Sequence, residues 1–260
     1  MQKPLILVTN DDGINAPGIR ILAETLSHLG DVVIVAPHTE QSATGLGITI
    51  RQPLKIHTYT GHSFESYSVT GTPADSVKMA LSVILKRTPS LIVSGINRGS
   101  NQGRNILYSG TVSAVIEGSL REIPGAAFSC WDLENTQYER ATKHIPSIVK
   151  YLLEHPLTPG TFLNVNFPSS KHPEIKGVKL TRQGKQYWLE NPSNRSHPTE
   201  NETYWWLGSK LAAYEDLDDS DVYWLNQGYA TAVPVFVAEL THQDSMGRKA
   251  HFESFLEKIG

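Results

Sequence analysis

Short, uninterrupted apolar runs alternate with stretches of helical spacing through residues 5 to 167, and this alternation constrains the chain more than any other feature. Leu5 to Thr9, Val32 to Ala36, Leu91 to Val93, Gly125 to Ser129 and Phe162 to Phe167 read as strands covered on both faces. Between them, Pro17 to Leu29, Ala74 to Leu85, Thr111 to Arg121 and Tyr138 to Glu154 carry apolar residues at helical spacing, the last as one long amphipathic helix. Strand, helix, strand in this order means βαβ units and a mostly parallel sheet with helices on its faces, an α/β fold. In such sheets ligands bind beyond the carboxyl ends of the strands, so the loops there share one address.

The pattern changes after about residue 175. Lys185 to Trp206 is polar and aromatic and reads as a long hairpin or arm, Tyr229 to Val237 as a strand, and Ser245 to Ile259 as a terminal helix. The expected organisation is an α/β catalytic domain over residues 1–178 and a C-terminal arm, strand and helix over 179–260. Exposed aromatics on an arm point to a subunit contact.

The first loop is Asn10-Asp11-Asp12-Gly13. Neighbouring side chains in a strand point to opposite faces, so two adjacent carboxylates share a ligand only where the strand breaks, and Gly13 supplies a break. Paired carboxylates suit a hard divalent cation. The second loop, Glu40 to Gly45, is small and polar, and the Ser42 hydroxyl is placed to add a ligand. The third, Ser94 to Asn105, reads as a Gly- and Asn-rich loop after a strand; Asn97 offers a neutral oxygen. The fourth, Tyr108 to Ala114, leads into a helix, whose free amides and dipole favour an anion, with Ser109 and Thr111 adding hydroxyls. Together these loops bring carboxylates for a metal and amides for a phosphate to one crevice, the equipment of metal-assisted phosphate ester hydrolysis. The paired carboxylates themselves favour an enzyme, because they would repel a phosphate unless a cation lay between them. Asp11, Asp12 and Asn97 are the expected catalytic residues.

Several classes are excluded. The chain has no GxxxxGK[ST], no GxGxxG after a strand, no HExxH and no GxSxG. A formal net charge of -3 gives no footprint for a nucleic-acid polymer. No stretch approaches the roughly 20 apolar residues of a membrane span. The one cysteine, Cys130, has no partner in the chain, and a reducing cytoplasmic setting is expected.

The chain resembles the SurE-type survival proteins, a 5′-nucleotidase family. The likeness lies in Leu7-Val-Thr-Asn-Asp-Asp-Gly13, Ala36-Pro37 with Ser42, Thr70-Gly-Thr-Pro-Ala-Asp75, Ser94-Gly-Ile-Asn-Arg-Gly99, Ser109-Gly-Thr-Val-Ser113, Leu163-Asn-Val-Asn166, Thr181-Arg182 and Gly228-Tyr229. It implies a Rossmann-like α/β fold and one divalent cation per subunit, magnesium or manganese, held by Asp11, Asp12, Ser42 and Asn97. It implies a phosphate site at Asn101, Ser109, Gly110 and Thr111. It further implies hydrolysis of nucleoside 5′-monophosphates, in some members also of 3′-monophosphates or short polyphosphate, and a homodimer or homotetramer built by exchange of C-terminal elements. His38 stands where the family often has Asp, and Asp219-Ser220-Asp221 stands for its Asp-Thr-Asp. Two other classes compete: a sensor that binds nucleotide or phosphate without turnover, and an assembly protein whose arm matters most.

Overall fold

The computed structural model describes residues 3–200, 202–212, 214 and 216–257. In chain order, β1 (Leu5–Thr9) leads to α1 (Pro17–Leu26) and β2 (Asp31–Pro37). A short pair follows, β3 (Ile56–Thr58) and β4 (Glu65–Val69), then α2 (Pro73–Met79), which runs on as a π-type turn over Ala80–Ile84. Next come β5 (Leu91–Arg98), a 3-10 segment (Gly103–Tyr108), α3 (Gly110–Ser119) and β6 (Gly125–Cys130). α4 (Tyr138–Thr142) and α5 (Ile145–Glu154) precede β7 (Thr161–Phe167) and β8 (Val178–Leu180). The arm carries β9 (Trp188–Leu189), β10 (Ser193–Ser196), β11 (Thr203–Trp206) and β12 (Lys210–Leu211). α6 (Asp221–Asn226), β13 (Ala230–Phe236), α7 (Gln243–Met246) and α8 (Lys249–Glu257) complete it.

The main sheet has the order β3-β4-β2-β1-β5-β6-β7-β13-β8. The six strands from β4 to β7 are parallel; β3 and β13 run antiparallel to their neighbours β4 and β7. The expected α/β architecture is what the chain adopts. The sheet also runs on past residue 178, because β13 pairs with β7 from Thr231, opposite Asn166, to Phe236, opposite Thr161.

Alternation along β1 shows why these runs become central strands. Ile6 and Val8 face one side, with Ile19, Leu22 and Leu26 of α1 and Val149 of α5. Leu5 and Leu7 face the other, with Val77 of α2 and Ala114 of α3. Both faces are dry, so nearly every residue is apolar. Each fully buried Leu or Ile contributes roughly 1.5–3 kcal/mol relative to exposure.

Three local expectations are corrected. The helix expected over Tyr138 to Glu154 is two helices, because Pro146 has no N–H to continue the first, and it sits in the opening turn of α5 instead. Residues 94–98 are strand, not loop: β5 passes Val93, shifts register against β6 between Ser94 and Asn97, and ends at Arg98. The terminal helix is shorter than expected and is preceded by a separate turn of helix, α7; Ile259 lies outside the described residues. The arm is an antiparallel ribbon in two pieces, β10 with β11 and β9 with β12.

Candidate active site

Parallel pairing sets Thr9 beside Ser94, so the chain after β1 and the last turn of β5 leave the sheet at the same end. β2, on the other side of β1, ends there too, at Pro37. These three exits place Asp11 and Asp12, Asn97, and the segment holding Ser42 around one crevice.

The first turn is stapled locally. Asn10 donates its side-chain amide to the Gly13 carbonyl at 3.0 Å. Gly13 has a φ of 94°, in the region L side chains avoid, and a Cβ there would lie 3.2 Å from Thr39 C and 3.3 Å from Glu40 N. The Gln41 amide donates to the Asp11 carbonyl at 2.7 Å, which ties the segment after β2 to the carboxylate turn.

Asp11 is buried and Asp12 half-buried. Thr111, in the first turn of α3, donates its hydroxyl to Oδ1 of Asp11 at 2.6 Å. Gly110 packs so closely on Asp11 that a Cβ there would lie 2.6 Å from the Asp11 Cβ. A side chain at 110 would therefore push the helix off the carboxylate. Burial pushes the Asp11 carboxyl above the usual carboxylate range, against the Thr111 hydrogen bonds that favour its ionised form. Asp12 is pushed up to about 6, first by burial and then by the charge of Asp11, while the Arg98 backbone hydrogen bond and charge pull the other way.

Two close carboxylates that resist ionising together are what a cation would relieve, and the donors nearby are all oxygens. Asn97 donates its amide nitrogen to the Gly99 carbonyl at 2.8 Å, which leaves its oxygen as the acceptor. Asn10 Oδ1 is buried without a hydrogen-bond partner. Among the described residues no group of three or more His, Cys, Asp or Glu side chains could hold a metal, so a cation here would take neutral oxygens beside the two carboxylates. That fits a hard ion. Ser42 is exposed, and its hydroxyl donates to Glu40 Oε1 at 2.7 Å. It shares the segment tied to Asp11 through Gln41, but its hydroxyl is turned to Glu40.

Of the expected phosphate residues, Ser109 caps α3 by accepting from the Val112 amide at 3.1 Å, which leaves its hydroxyl hydrogen free to donate. Asn101 is buried and held on three sides. Its amide N–H donates to Asn166 Oδ1 at 2.8 Å, its carbonyl accepts from Asn164 Nδ2 at 2.8 Å, and its side-chain nitrogen donates to Ser129 at 2.8 Å. One Asn101 amide hydrogen remains for a ligand. Thr111 spends its hydroxyl on Asp11.

Sequence reasoning did not assign the supporting layer. Asn164 and Asn166 sit on the same face of β7, polar and buried, with only apolar residues from Phe162 to Phe167 around them in the strand. That i, i+2 pair of buried amides was a readable signal, since buried polar groups need partners. Asp221, fully buried at the start of α6, accepts from the Gly103 amide at 2.9 Å, Gly184 at 2.7 Å and Val222 at 2.8 Å. The base of the arm grips the same loop: Arg104 N–H donates to the Gln186 carbonyl, and Trp188 N–H to Asn105 Oδ1 at 2.9 Å.

The family model described as "Survival protein SurE" matches residues 6–190. A curated 5′-nucleotidase SurE from Protochlamydia amoebophila is 53% identical over 257 residues, covering 98% of each chain. One from Thermosipho africanus is 42% identical, covering 94% of this chain and 95% of its own. The crystal structure of the SurE protein from Aquifex aeolicus superposes with a TM-score of 0.83 at 38% identity, over 96% of this chain and 100% of that one. A family match over most of the length, relatives above 40% identity and the same fold lead to one conclusion: the chain belongs to the SurE family of survival proteins.

Proposed function

We propose that the protein is a phosphoric monoester hydrolase, a divalent-cation-dependent 5′-nucleotidase that cleaves nucleoside 5′-monophosphates to nucleoside and phosphate. The observation that carries the reading is Asp11, a buried carboxylate seated against the amino-terminal turn of α3 and flanked by Asp12. Relatives named 5′-nucleotidase SurE support it.

Asp11, Asp12, Asn97 and Ser42 would hold one Mg2+ or Mn2+ per subunit, Ser42 after turning away from Glu40. A bound cation would supply positive charge to the phosphoryl oxygens. The Ser109 hydroxyl, the free Asn101 amide hydrogen and the Gly110 backbone would receive those oxygens, with the α3 dipole favouring their charge. Thr111 fixes the Asp11 carboxylate instead of touching the phosphate. Asp12, the more accessible carboxylate, orients the attacking water. Water oxygen bonds to phosphorus as the bond to the 5′ oxygen breaks, and the proton released from water ends on the leaving alcohol.

The test is phosphate release from nucleoside 5′- and 3′-monophosphates and short polyphosphate, in EDTA and then with magnesium or manganese. Release restored by metal and abolished by Asp11→Asn is the expected result. No release from folded protein with either metal overturns it in favour of a phosphate-binding sensor.

The same reading includes assembly and location. Trp205 at 64% exposure, Trp206 at 60%, Phe252 at 62% and Phe255 at 57% are a large apolar surface to leave in water, and we propose that they pack in a homodimer or homotetramer. Light scattering that gives a monomer mass would overturn this. A lone, buried Cys130 fits a reducing, cytoplasmic setting. Among the described residues no helix is long and apolar enough to cross a membrane.

A further inference from the structure

Two histidines that the phosphate chemistry does not use stand side by side near the edge of the sheet. His38 is the first residue after β2, and His57 is the middle residue of β3. Their ring centres are 6.0 Å apart, with the planes tilted by 53°. Both residues are exposed, so an ion from solvent reaches them without any opening of the core.

Three strands bring the pair together. β4 lies between β2 and β3 in the sheet. Ser68 of β4 is opposite His57 on one side and opposite Ala36 of β2 on the other. Residues opposite one another share a face of the sheet, so His57 and Ser68 project together. The His38 amide donates to the Val69 carbonyl at 2.8 Å, which keeps the chain beyond β2 alongside β4. The His38 ring reaches Ser68, with Nδ1 3.3 Å from the hydroxyl oxygen. Ser68 is buried, so this contact holds the ring from beneath.

That contact has a chemical consequence. When Nδ1–H donates to Ser68, the His38 lone pair is on Nε2, and a ligating imidazole is oriented in just this way, through its other nitrogen. An ion bonded to a ring nitrogen lies about 2.1 Å from it and about 3.2 Å from the ring centre, so two rings that share one ion have centres up to about 6.4 Å apart. The observed 6.0 Å lies within that reach. Rotation of the exposed side chains closes it to the roughly 5 Å that a tetrahedral ion asks for.

Among the described residues no group of three or more His, Cys, Asp or Glu side chains could hold a metal, so these two imidazoles would be completed by water. Imidazole suits borderline ions such as Zn2+, Ni2+ and Cu2+, whereas Mg2+ takes oxygen. The pair therefore differs in kind from the oxygen donors around Asp11 and Asp12.

We propose that His38 and His57 form a second metal site, which takes one Zn2+, Ni2+ or Cu2+ ion with water as its remaining ligands. An ion held there joins the segment that carries Gln41 and Ser42 to the edge strand β3. The proposal stands apart from the hydrolase reading, since it needs no turnover.

The experiment is calorimetric titration of Zn2+ into the full-length protein with magnesium in excess, which keeps the carboxylate turn occupied. Wild type binds one equivalent, and His38→Gln and His57→Gln each weaken that binding at least about ten-fold. No binding by wild type, or binding that survives both substitutions, overturns the site. Loss of zinc binding in Asp11→Asn would put the ion at the carboxylates and overturn it too. Urea unfolding supplies a second readout. Zinc raises the midpoint of wild type, as an ion that binds only the folded chain must, and leaves His57→Gln where it was. An equal rise in both proteins places the zinc elsewhere.

Discussion

The Thr111 hydroxyl donates to Oδ1 of Asp11 across 2.6 Å, joining residues 100 positions apart at the junction of β1 and α3. This bond favours the ionised carboxylate in a place where burial disfavours it. Thr111→Val keeps the shape and removes the donor. The Asp11 carboxyl then rises further, so the acid limb of the pH–rate profile moves to higher pH. Turnover at neutral pH falls on the order of ten-fold, about the effect of one hydrogen bond to a charged group. A profile that does not move would show that Thr111 has no hold on Asp11.

Asp12 gives a prediction with two opposite signs. Its folded-state value of about 6 lies above the ordinary 3.8, so the metal-free folded protein binds this proton more tightly than the unfolded chain does. The contribution to stability is full below the ordinary value and is lost as pH rises through about 6. Asp12→Asn removes that loss. In EDTA it should resist urea better than wild type at about pH 8 and no better at about pH 4, by equilibrium unfolding. Turnover with metal should fall by orders of magnitude.

Asn166 holds Asn101, the residue proposed to receive phosphate. Its Oδ1 accepts from both the Asn101 amide at 2.8 Å and the Ser100 hydroxyl at 3.1 Å. Asn166→Ala strands the buried Asn101 N–H, which lowers stability by about 1–3 kcal/mol. Inhibition by free inorganic phosphate should weaken about ten-fold, measured as a rise in its inhibition constant. Unchanged phosphate inhibition in a folded variant would detach Asn101 from phosphate binding.

Asp221 accepts three amide hydrogens in the dry base of the arm. Asp221→Ala leaves them without partners, and stability should drop by about 3 kcal/mol or more. The loop that carries the exposed Arg104 loses its anchor at Gly103, so limited trypsin digestion should cut there first in the variant. Equal cleavage in wild type and variant would argue that Gln186 and Trp188 hold the loop unaided.

Central strands were readable because burial on both faces makes them continuously apolar, as Ile6 to Val8 are. The pair β3 and β4 was not, because it forms the sheet edge: His57 and Thr58 face water, and Glu65-Ser-Tyr-Ser-Val69 mixes polar and apolar residues. The end of β5 was hidden for a different reason. Asn97 and Arg98 belong to it through a register shift that no periodicity announces. At the crevice, the Asp11-Asp12 turn was legible from its neighbours in sequence, and Gly110 only from the family likeness. The clamp of Asn101 by Asn164, Asn166 and Ser129 depends on which strands lie side by side, and the Ser42 rotamer depends on Glu40.

Gly103 and Asp221 lie 118 residues apart along the chain. During synthesis, β1 through β6 and α3 have left the ribosome long before Asp221 is translated. The nascent protein can therefore bury its central strands while the Asn101 loop still lacks its lock. That lock comes last, after α6 is made, and a chain that terminates early acquires a core while the Asn101 loop stays unfastened.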